Sequence, residues 1–92
     1  VRVRFTPSAA AELDTILDQI GERSTQGAAN VKRRIQEVVD LLSLHPEAGQ
    51  RTSLAGLRRL VANPYPYLVF YQITTDEIVI HGVRHGARKP QV

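Results

Sequence analysis

Residues 64–90 read PYPYLVFYQITTDEIVIHGVRHGARKP, and the fold of the chain turns on how this stretch alternates. Residues 67–74 and 77–85 are two runs rich in β-branched and aromatic residues, joined by a short polar turn at Thr75-Asp76. That is the signature of a β-hairpin. The first run is apolar on both parities, with Leu68 and Phe70 on one face and Val69, Tyr71 and Ile73 on the other. A strand of that kind is expected at the centre of its sheet with both faces covered. Phe70 then belongs to the core, and truncating it to alanine is expected to cost about 3–5 kcal/mol. Gly82 interrupts the second run, and a glycine inside a strand often marks a bulge. A bulge there places Ile78, Ile80, Val83 and His85 on one face and Val79, His81 and Arg84 on the other.

Working outward, residues 1–5 (VRVRF) alternate strictly, as a short edge strand with arginine on its open side does. Thr6-Pro7 supplies an N-cap and a first-turn proline for a helix over residues 7–21, with Leu13, Ile16, Leu17 and Ile20 on one stripe. Glu12, Asp14, Asp18 and Glu22 lie off this stripe and are expected to stay in solvent. The polar break over residues 21–27 leads to a second helix running to about Leu44, with a stripe of Ala28, Val31, Ile35, Val38, Val39 and Leu42. Pro46 ends it. Residues 46–56 read as irregular, residues 57–62 as a strand, and Asn63-Pro64-Tyr65-Pro66 as a turn. The expected fold is α+β in the order β-α-α-β-β-β, a helical hairpin packed on a mostly antiparallel four-stranded sheet. All 92 residues are expected to form one domain.

Composition narrows the function. With no cysteine, thiol nucleophiles and cysteine metal sites are excluded, and a reducing cytoplasm is the expected location. No apolar run is long enough to span a bilayer and no secretory signal pattern is present, so no membrane partner is expected. Residues 1–47 hold six basic and seven acidic groups, whereas residues 48–92 hold six basic and two acidic. The sheet half is therefore positive, which suits an acidic protein segment or a nucleic acid.

The residues that carry chemistry are few. His45 sits before a proline at a helix C-terminus, where a positive side chain favours the helix dipole. His81 and His85 lie four apart on the last strand, with Asp76 and Glu77 at its far end, so no third metal ligand converges. No metal and no cofactor are expected. His85 among Arg58, Arg59, Arg84 and Arg88 is the minimal set for RNA cleavage by the 2′-OH, but general acid–base catalysis wants both a proton acceptor and a donor. The alternative is a structural His85 at the bend from strand to tail. Tyr65, Tyr67 and Tyr71 are candidates for base stacking, yet the element order fits neither an RNA recognition motif nor a double-stranded RNA module.

Residues 56–90, GLRRLVANPYPYLVFYQITTDEIVIHGVRHGARKP, resemble the C-terminal half of the RelE/ParE toxin superfamily, in particular its ParE branch. The matching features are Gly-Leu-Arg-Arg before a strand, the Tyr-Leu-Val-Phe-Tyr strand after Pro-Tyr, and the ending His-Gly-Ala-Arg. The entry Phe5-Thr6-Pro7-Ser8-Ala9 and a second helix ending Leu-His-Pro fit the same family. The resemblance implies the toxin of a type II toxin–antitoxin system. Its partner would be a small ParD-like antitoxin with an acidic, flexible C-terminal segment, bound in a hetero-oligomer. ParE-like members inhibit DNA gyrase by binding and are not enzymes. RelE-like members are ribosome-dependent mRNA endonucleases that commonly use a tyrosine near the C-terminus. Here the residues after His85 are Gly-Ala-Arg-Lys-Pro-Gln-Val, without tyrosine. The expected function is therefore gyrase inhibition with no catalytic residue; an mRNA endonuclease, or an inactive homologue serving operon regulation, are the alternatives. Candidate target-binding residues are Arg58, Arg59, Arg84, His85, Arg88 and Lys89, of which Arg84, His85 and Arg88 match the ParE-like ending.

Overall fold

A computed structural model describes residues 1–86; Arg88 and Lys89 lie outside the described residues. Strand β1 (Arg2–Phe5) leads into helices α1 (Pro7–Gly21) and α2 (Thr25–Leu44). A single 3-10 turn (Pro46–Ala48) follows, and then strands β2 (Gln50–Arg51), β3 (Leu57–Val61), β4 (Tyr67–Ile73) and β5 (Glu77–His85). Both helices start as their caps dictate. The Thr6 hydroxyl accepts from the Ala9 amide at 3.1 Å, and the Ser24 hydroxyl accepts from the Gly27 amide at 2.8 Å.

The sheet order is β1-β5-β4-β3-β2, so the hairpin of β4 and β5 does lie inside the sheet. The α+β class and the helical hairpin agree with the sequence reading, but the sheet has five strands rather than four. The additional strand, β2, is two exposed residues paired with Arg58 and Arg59. Two residues carry no readable alternation, which is why this segment looks irregular in the sequence. One pair is parallel: β1 runs beside β5, with Val3 opposite Ile78 and Phe5 opposite Ile80. The other pairs are antiparallel.

The helices cover one face of the sheet. Ala9, Val31, Ile35, Val38 and Leu42 pack there against Ala62, Val69, Tyr71, Ile78, Ile80 and Val83. Strand alternation sends Leu68, Phe70 and Gln72 of β4 to the opposite face, beside Val61, Arg59 and Leu57 of β3. This overturns the expectation that Phe70 belongs to the core. Phe70 is half-buried on the face away from the helices, and its neighbour Tyr71 is the fully buried aromatic. Apolar residues on both parities mark a central strand, but they do not tell which face receives the helices. No helix among the described residues is long and apolar enough to cross a membrane.

Candidate functional site

Strand β1 is too short to accompany β5 along its whole length. Its last paired residue, Phe5, stands opposite Ile80; the Thr6 amide then donates to the Ile80 carbonyl at 3.0 Å, and the chain turns into α1. The second half of β5 therefore runs on past the end of β1. The sheet is irregular at this point. Tyr71 pairs with Ile80 but Phe70 with Gly82, so His81 is the extra residue of a bulge. The bulge returns Val83 to the buried face and sets His85 opposite Tyr67, as the glycine in the sequence suggested.

Helix α1 crosses beside this half of β5, and between them lies a groove of about 1170 Å³. Ile16, Ile20, Tyr67 and Val83 give it an apolar floor, and Glu12, Glu22, Arg23, Arg84 and His85 give it charged and polar walls. His85 packs edge-on against Tyr67 with ring centroids 5.3 Å apart. One carboxylate organises the β5 side. Glu12 Oε1 accepts from the Val83 amide at 3.0 Å, and Glu12 Oε2 accepts from Arg84 Nε at 3.2 Å. A side chain of α1 thus takes the place that a continued β1 would fill.

The candidate residues are divided by this geometry. Arg84 and His85 both line the groove, Arg84 opposite Leu68 and His85 opposite Tyr67 on alternate faces of β5. Arg58 and Arg59 are adjacent on β3 and point to opposite faces of the sheet, so they do not form one clamp. Arg58 is half-buried and its Nη1 donates to the Gly49 carbonyl at 2.9 Å, holding the segment before β2. Arg59 is exposed on the face shared with Phe70. His81 and His85 are separated by the bulge, and His81 Nε2 lies 3.0 Å from Gln72 Oε1. No group of three or more His, Cys, Asp or Glu residues able to hold a metal ion occurs among the described residues. The sequence reading missed Glu12. Its position off the apolar stripe of α1 marks it as solvated, and nothing local in the sequence announces a partner 71 residues away.

Residues 3–90 match the family model described as ParE toxin of type II toxin-antitoxin system, parDE. Toxin RelE2 of Caulobacter vibrioides is 37% identical over 87 residues, covering 95% of this chain and 97% of that protein. Y4kP of Sinorhizobium fredii is 32% identical over 91 residues, covering 99% of this chain and 95% of its own. Among solved structures, a chain of the chromosomal ParDE TA system from P. aeruginosa superposes with a TM-score of 0.80 at 25% identity, covering 92% of this chain and 95% of that one.

Proposed function

Because the chain belongs to the ParE toxin family of type II toxin–antitoxin systems, we propose that it acts by binding DNA gyrase, that it does not cleave RNA, and that a cognate antitoxin neutralises it in a hetero-oligomer. The observation that carries this reading is the composition of the groove at the end of β5. Its two described arginines, Arg23 and Arg84, are balanced by Glu12 and Glu22 around an apolar floor. A phosphate backbone favours an uncompensated positive surface. A floor of Ile, Val and Tyr ringed by charges of both signs suits a protein ligand better. Glu12, Glu22 and His85 are the described groove side chains able to move a proton; Glu12 is engaged with the Val83 amide and Arg84, and the His85 ring rests on Tyr67. Cleavage needs a proton acceptor and a proton donor set on opposite sides of the phosphate, and arginine, which stays protonated, is not an acceptor.

The second reading is an mRNA endonuclease, favoured by the 37% identity to a protein named Toxin RelE2. Two assays on one preparation separate the two readings. In supercoiling by purified gyrase, the toxin is expected to inhibit at concentrations comparable to the enzyme. On translating ribosomes it is expected to leave mRNA intact. Ribosome-dependent cleavage that disappears in His85→Ala, together with unaffected gyrase, would replace the first reading with the second.

A further inference from the structure

The second half of β5 is a strand edge occupied by a side chain, and this suggests what displaces that side chain. Three observations meet at Glu12. Its carboxylate bonds the Val83 amide, an outward-facing donor of the kind a neighbouring strand takes. The same carboxylate holds Arg84. Gly82 keeps the approach open, since a Cβ there would stand 3.1 Å from Glu12 Oε1. The second of these contacts is not a strong lock. The ion pair is solvated, with the Arg84 side chain 68% and the Glu12 side chain 33% exposed, and pairs of that exposure contribute little.

We infer that Glu12 is an internal competitor: in the free chain its carboxylate occupies the strand-edge amide and the guanidinium that an extended, acidic peptide segment takes on binding. The inference rests on the toxin reading and names the chemistry of the neutralising partner at the same groove. Such a segment would add beside β5 where β1 ends, exchanging backbone hydrogen bonds with the edge in the manner of strand addition. Its alternate apolar side chains would meet Ile16, Ile20 and Tyr67. One acidic side chain would replace Glu12 on Arg84. Charge complementarity selects this occupant. Once Glu12 swings out, Arg84 is left facing the ligand, whereas a polyanion would meet Glu22 and the displaced Glu12 together. Glu12 thereby sets how tightly the groove binds and, through Arg84, which sequence it prefers.

The test uses the full chain, with its cognate antitoxin as the probe. Removing an internal competitor tightens binding, so Glu12→Ala is expected to lower Kd by about tenfold, the effect of releasing one charge-assisted contact. Glu12→Gln keeps an oxygen for the Val83 amide and loses the charge toward Arg84, and its gain is expected to be smaller. It also decides the question should Glu12→Ala fail to fold. Amide hydrogen exchange at Val83 gives a second readout, with faster exchange in free Glu12→Ala than in the parent and protection in both upon binding. Unchanged or weakened binding in the folded variants, or a Val83 amide that binding leaves unprotected, overturns the competitor role while the toxin reading stands. An antitoxin that binds none of the three proteins overturns both.

Discussion

Tyr71→Ala is expected to leave much of the isolated chain unfolded. Tyr71 is fully buried and is the largest fully buried side chain among the described residues. Truncating an aromatic core residue costs about 3–5 kcal/mol, against a total of roughly 5–14 kcal/mol for a chain of this length. Its phenol adds a second role: Oη donates to the Pro46 carbonyl at 2.7 Å and accepts from the Gly49 amide at 2.8 Å. Tyr71→Phe keeps the ring and orphans both partners, which costs about 1–3 kcal/mol. Phe70→Ala, on the face away from the helices, is expected to lose only about 1–2 kcal/mol of half-buried apolar area. Urea melts of the three variants give the order, and Phe70→Ala proving as costly as Tyr71→Ala would reverse the assignment of sheet faces. The phenol also makes a pH prediction. Burial raises its pKa above the ordinary 10.0, against the opposing pull of the Gly49 amide and the Arg58 guanidinium. The unfolded chain then releases this proton at lower pH than the folded one. The contribution is complete below pH 10 and is lost as the pH rises further. Stability of the parent should therefore fall more steeply above pH 10 than that of Tyr71→Phe.

Most of the architecture was legible because it rests on local signals. Thr6-Pro7 caps α1, Pro46 ends α2, and Gly82 within residues 77–85 marks the bulge of β5, whereas the start of α2 at Thr25, capped by Ser24, lies inside the stretch that reads as a polar break. What stayed hidden depends on partners distant in the chain. Strand β2 exists because Tyr71 and Arg58 hold the segment at Gly49, 22 and nine residues away, and not because Gln50-Arg51 favours a strand. The choice between Phe70 and Tyr71 as the core aromatic was undecidable from parity, since both parities of β4 are apolar. The candidate site was half legible. Clustering of basic residues points to the end of β5, where Arg84 and His85 both line the groove, although from alternate faces of the strand. Sequence adjacency suggests equally that Arg58 and Arg59 act together, and the pleat of the strand separates them. Glu12 looked like any solvated carboxylate on the polar side of an amphipathic helix. Its role arises because β1 stops at Phe5 and leaves an amide of β5 without a strand partner.

Gly49→Ala is expected to cost about 2–4 kcal/mol, although the change adds a single methyl group and Gly49 has an ordinary extended backbone with φ −80° and ψ 161°. The reason is space. A Cβ at Gly49 would lie 2.6 Å from Tyr71 Oη and 2.7 Å from the Arg59 carbonyl, closer than real contacts of this kind come. The carbonyl belongs to the strand that β2 pairs with, so it cannot yield without disturbing that pairing. The phenol cannot yield without losing Pro46 or the Gly49 amide. Either movement frees the 3-10 turn and β2 from the sheet while leaving the groove in place. Tyr71 and the groove residue Tyr67 are four residues apart on β4, about 13 Å along the strand. Sites at that separation with no shared partner behave additively within about 0.5 kcal/mol. Gly49→Ala should therefore lower the urea midpoint without changing antitoxin affinity, and its stability cost should be the same in the parent and in a Glu12→Ala background. A change in affinity, or a cost that depends on Glu12, would mean that the two ends of the sheet are mechanically coupled and that the groove is not an independent binding element.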